Sequence, residues 1–73
     1  MAVLGRIIKD TESSINVRQG DVVCDVVIEP LWMQLRTYAA GDVNRERGSK
    51  QNIQFDKQKA KELRDLLDEF IDG

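Results

Sequence analysis

What most limits how this chain can fold is a change of period at Asp56. Before it, "KQNIQF", Lys50 to Phe55, alternates polar and apolar residues, the two-residue period of a half-buried β-strand. After it, Ala60, Leu63, Leu66, Leu67, Phe70 and Ile71 recur at three- and four-residue intervals, which gathers them on one stripe of an α-helix. Asp56 stands where an N-cap belongs, with a carboxylate able to accept from the free N–H groups of the first turn. The spacing predicts a helix from Lys57 to Ile71.

A strand that hands over directly to an amphipathic helix needs a sheet for that helix to cover. Between Val3 and Phe55, β-branched runs separated by turn residues supply one. A first strand is expected near Val3 to Ile8 and a second near Ser14 to Arg18; "RQGD", Arg18 to Asp21, reads as a turn into "VVCDVVIE", Val22 to Glu29. Pro30 has no N–H to give to a ladder, so it marks a bend, a bulge or a strand boundary. "LWMQLRTY", Leu31 to Tyr38, follows and pairs with Lys50 to Phe55 across a long connection. The expected fold class is α+β: an antiparallel β-sheet of four to five strands followed by one C-terminal amphipathic helix packed on one face, in a single domain, 1–73. The strand order before residue 30 stays open.

With 73 residues the core is marginal, and a self-pairing dimer would relieve the shortage. Hydrophobic residues at 41% and charged residues at 33% are too apolar and too well patterned for disorder. The net charge of −2 lacks the basic excess usual for nucleic-acid binding, but the charges are unevenly placed. Residues 56–73 hold four basic and six acidic side chains, whereas residues 34–54 hold Arg36, Arg45, Arg47 and Lys50 against Asp42 and Glu46.

The single cysteine, Cys24, leaves no intrachain disulfide and reads as a reducing, cytoplasmic compartment. "MAVLGRIIKD" lacks a secretory core, and no stretch approaches a membrane span. There is no histidine, the commonest acid-base residue and metal ligand at neutral pH. One cysteine without a histidine partner is a poor nucleophile, and Asp21, Asp25 and Glu29 along one strand are more often solvated or paired than metal-binding. "AAGD" and "RGSK" carry one glycine each, so no phosphate-cradling loop is present. Neither catalysis, a cofactor nor a metal is expected.

Alternation places Met33, Leu35 and Thr37 on one side of their strand and Trp32, Gln34, Arg36 and Tyr38 on the other. Ile53 and Phe55 point to the core, leaving Asn52 and Gln54 on the face of Arg36, with Lys50 at its edge. Two aromatics for stacking, cations for phosphates and amides as donors would suit a single-stranded nucleic acid. An exposed antiparallel strand also alternates in this way with no ligand at all. The loop "AAGDVNRERGSK", Ala39 to Lys50, likewise has two readings. It is a polar hairpin tip in which Gly41 and Gly48 supply unusual backbone angles, or an element that closes Arg45, Arg47 and Lys50 over phosphates.

"QLRTY", Gln34 to Tyr38, followed fifteen positions after the tyrosine by Ile53 of "NIQF" and ten further on by Leu63, resembles the single-stranded-DNA-binding core of the transcriptional positive cofactor four family. In that family an Arg-x-Tyr strand leads through a basic, glycine-bearing loop to a short Ile-x-Leu strand and an amphipathic helix. Arg36 and Tyr38 look like its arginine and tyrosine, and "GSKQNI", Gly48 to Ile53, is similar to its Gly-basic-Lys-Gly-Ile segment. The similarity covers Gln34 to Ile71. Val17 to Arg36 is longer than the family's corresponding stretch and contains Pro30, and Asn52 stands where glycine is usual. The resemblance implies a homodimer acting in transcription as a coactivator or in DNA handling. Its curved sheets would take single strands on Arg36, Tyr38 and Lys50, to which the outer-face and loop readings add Trp32, Gln34, Asn52, Arg45 and Arg47 as nucleic-acid-binding residues; Leu66, Phe70 and Ile71 would be shared between core and subunit contact, although covering their own sheet is the simpler role. The competing expectation is a protein–protein interaction or structural accessory module that binds another chain by its sheet face or edge.

Overall fold

The structure, a computed structural model, describes residues 2–15 and 20–73. Among them lie β1 (Ala2–Val3), β2 (Cys24–Ile28), β3 (Met33–Thr37), β4 (Gln51–Phe55) and α1 (Lys57–Asp72). The strands form one sheet in the spatial order β1-β4-β3-β2, and with the helix they make the expected α+β arrangement.

Strands β2, β3 and β4 run as an antiparallel meander in which Ile28 lies across from Met33, and Met33 from Phe55. The amide of Glu29 donates to the Trp32 carbonyl at 2.9 Å, closing a tight turn over Pro30 and Leu31. The proline therefore sits at a strand boundary, where its missing N–H interrupts nothing. The β3–β4 connection is built around Asp42, whose Oδ1 accepts from the Glu46 amide at 3.0 Å and Oδ2 from the Arg47 amide at 3.1 Å. Gly41 (φ 87°) and Gly48 (φ 77°) take the left-handed conformations expected of them.

The N-terminal part departs from expectation. β1 is parallel to β4, with Ala2 beside Ile53 and Val3 beside Gln54, so the sheet is mostly rather than wholly antiparallel. The strand expected from Val3 to Ile8 ends after Val3: Gly5 weakens any continuation, and the chain turns toward the far end of the helix, where Lys9 pairs with Glu69. Of the strand expected near Ser14 to Arg18, Ser14 and Ile15 are irregular and exposed, and Asn16 to Arg18 lie outside the described residues. Just before it, Asp10 Oδ1 accepts from the amides of Glu12 and Ser13, a local turn that competes with strand pairing.

Asp56 caps the helix as its position predicts, with Oδ1 accepting from the Lys59 amide at 2.9 Å. At the other end the Gly73 amide donates to the Glu69 carbonyl at 3.0 Å. The helix packs mainly on β4. Phe55, only 3% exposed, is buried beneath its first turns, and Leu63 and Leu66 are half-buried. Leu67, Phe70 and Ile71 are exposed, so the helix covers one end of a sheet face rather than its whole width.

That incomplete cover is visible in the dimensions. The radius of gyration is 14.1 Å, against about 11 Å for a compact chain of this length. The accessible surface is 6499 Å², whereas a compact monomer of 8.3 kDa exposes about 4,600 Å².

Candidate functional site

Cross-strand pairing fixes which side chains share a face. Asp25 lies across from Arg36 and Arg36 from Asn52, while Val27, Gln34 and Gln54 form the next row. These make the polar face, with Trp32 and Tyr38 added by alternation along β3. Cys24, Val26, Ile28, Met33, Leu35, Ile53 and Phe55 make the opposite, apolar face.

The polar face centres on Asp25. Its carboxylate accepts from Arg36 Nε at 2.7 Å and from a second Arg36 nitrogen at 2.9 Å. It also accepts from the Tyr38 hydroxyl at 2.9 Å and from Arg45 at 3.1 Å. The Arg36 guanidinium, helped by Tyr38 and Arg45 and opposed by partial burial, holds the Asp25 carboxyl well below the usual carboxylate range. In return Asp25 raises Arg36; its hydrogen bond and burial raise the Tyr38 phenol. Arg45 reaches the cluster from a left-handed backbone (φ 59°), a conformation that costs a non-glycine residue about 1 kcal/mol or more.

Of the residues expected to form a nucleic-acid site, the structure brings Arg36, Tyr38 and Arg45 together, but onto an internal carboxylate. Tyr38 is 8% exposed and presents little ring face for stacking. Trp32, 40% exposed, sits at the other end of the face and borders a shallow depression with Val27, Gln34 and Gln54. Asn52 lies beside Arg36, its buried Oδ1 without a hydrogen-bond partner among the described residues. Arg47 and Lys50 are exposed and do not join the cluster. Asp25 was not among the expected site residues. Asp25, the one charge inside the apolar run "VVCDVVI", was the available signal, because a charge within an apolar strand needs a partner.

The apolar face is the less covered of the two. Val26 is 48% and Ile28 76% exposed, and an open depression of about 610 Å³ runs over Ala2, Cys24, Leu35 and Ile53. At the end of the helix, Phe70 is 82% exposed. Among the described residues, no three His, Cys, Asp or Glu side chains converge to hold a metal ion, and no helix is long and apolar enough to cross a membrane. Comparison with known proteins gave no matching family model, no matching curated protein and no matching solved structure.

Proposed function

We propose that this chain is a small non-catalytic protein-interaction module that buries its apolar sheet face and the far half of its helix against another chain. The observation that carries this reading is surplus surface. The chain exposes about 1,900 Å² more than a compact monomer of its mass, and Val26 and Ile28 of β2 with Leu67, Phe70 and Ile71 at the helix end are among its exposed apolar side chains. A standard protein–protein interface removes about 800 Å² from each partner, so the surplus suffices for a specific contact. Contiguous apolar patches of this kind mark interaction sites in soluble proteins.

Sedimentation and small-angle scattering test this reading together. The expected result is concentration-dependent association, with an expanded chain at the lowest concentrations. A monomer at high concentration with a radius of gyration near 11 Å would mean that the helix closes over its own sheet, and would overturn it.

A second reading, single-stranded nucleic-acid binding on the opposite face, is favoured by one observation. Around Asp25, two guanidinium groups meet a single carboxylate, leaving an excess positive charge in a row of amides beside an exposed Trp32. The resemblance to the transcriptional positive cofactor four family supports the same reading, with a homodimer as the binding unit. An oligonucleotide titration should then quench Trp32 with an affinity that falls as salt rises, as counterion release requires. Flat emission at low salt would remove this reading and leave the first intact.

A further inference from the structure

Strand β2 is an outer strand of the sheet, and its hydrogen-bond parity can be read from both ends. Tyr38 N–H donates to the Val23 carbonyl at 3.1 Å and Glu29 N–H to the Trp32 carbonyl at 2.9 Å. Residues 23, 25, 27 and 29 therefore turn their main-chain groups toward β3, and Cys24, Val26 and Ile28 turn theirs away from the sheet. Among the described residues, these outward N–H and C=O groups have no partner.

Natural sheets blunt such an edge with lysine, proline, a bulge or an inward-pointing charge. Between Cys24 and Ile28 the edge has no lysine, proline or bulge. The one charge, on Asp25, is held on the polar face by Arg36, Tyr38 and Arg45. Pro30 has the same outward parity and lacks an N–H, so it limits the pairing-competent segment to the five residues of β2.

We propose that β2 pairs antiparallel with β2 of a second copy of this chain, about a two-fold axis through Val26, joining two sheets into one. Register singles out that axis. Centred on Val26, the pairing satisfies every outward N–H and C=O of Cys24, Val26 and Ile28, and it sets Asp25 across from the second copy's Val27. An axis through Asp25 would oppose two like carboxylates and leave Ile28 unpaired. An axis through Val27 would oppose Asp25 to Glu29 and ask Pro30 for a hydrogen it lacks. The Val26 pairing also continues the apolar face without a break, because Val26 meets its own copy and Cys24 meets Ile28 on the side where both are exposed. This inference goes beyond the interaction reading above: it joins two sheets by an edge that reading does not use, leaves the apolar face open, and takes a second copy of the chain as its partner.

Residue-resolved amide exchange, followed alongside sedimentation, tests it on the intact chain. The amides of Cys24, Val26 and Ile28 should slow by more than about tenfold as the chain dimerises, while those of Asp25 and Val27 are protected at every concentration. In a Cys24→Ser, Val26→Cys variant, the two introduced thiols face each other across the axis within disulfide range, and mild oxidation should give a covalent dimer rapidly. A sedimenting dimer whose three outward amides stay fast, or in which Val26→Cys does not cross-link, would overturn the edge pairing and leave association through the apolar face standing. A chain monomeric at all concentrations would overturn both.

Discussion

Arg36 lays its guanidinium along the Asp25 carboxylate in a two-point fork, 2.7 Å at Nε and 2.9 Å at the second nitrogen, across neighbouring strands. A planar fork is what arginine provides and lysine does not. Asp25→Ala also strips the acceptor from Tyr38 and Arg45, leaving several donors without a partner at a side chain only 15% exposed. The expected order of urea midpoints is wild type, then Arg36→Lys, then Asp25→Ala. Equal midpoints for all three would mean that the cluster contributes nothing to the fold.

The same cluster gives the chain a pH dependence with a defined sign. Because the folded Asp25 carboxyl is held below its unfolded value of 3.8, its contribution is complete above that pH and is lost as pH falls through the folded value. Tyr38 is an acid raised above 10.0, so its contribution is complete below pH 10 and is lost as pH rises through the folded value. Carboxyl-detected NMR should find Asp25 still ionised at pH 3.8, the midpoint of an ordinary aspartate. In Asp25→Asn, the Tyr38 phenol should titrate closer to its ordinary value.

The helix, its cap and the two strands before it are legible in sequence because each has a local cause: a period, an Asp at the N-cap and a proline at a turn. The pairing of β1 with β4 has no local cause. It sets Ala2 beside Ile53, a contact whose closure depends on where the intervening chain goes, and neither residue type favours parallel over antiparallel. The Asp25 cluster was hidden for a related reason. Arg36 meets Asp25 only through the register of one hairpin, and Arg45 reaches it only through a backbone angle that composition does not disclose. Side-chain alternation placed Arg36 and Tyr38 on the correct face without revealing that a carboxylate already occupies it.

Gly48 and Gly5 form a matched pair for testing the β3–β4 loop. An added Cβ meets nothing within 4 Å at either position, but only Gly48 has a left-handed φ. Gly48→Ala should therefore cost roughly 1 kcal/mol through backbone strain alone, whereas Gly5→Ala should be neutral or slightly stabilising. Urea denaturation of the two variants measures the difference directly. If Gly48→Ala proves harmless, the loop does not hold the conformation that aims Arg45 at Asp25.

Phe55 and Phe70 separate folding from assembly. Phe55 lies 3% exposed beneath the helix, and Phe55→Ala should cost about 3–5 kcal/mol. In a domain of this size that is a large share of total stability, so the variant should be largely unfolded by circular dichroism. Phe70, 82% exposed near the helix end, has little packing among the described residues for its replacement to remove. Phe70→Gln, which adds no charge to the acidic helix end, should leave the thermal midpoint of the dilute chain nearly unchanged while weakening concentration-dependent association, because a primary amide enters an apolar contact only by giving up its hydrogen bonds to water. If Phe70→Gln instead lowers the midpoint at all concentrations, the helix end packs on its own sheet in solution, and the surplus apolar surface is filled from within the chain.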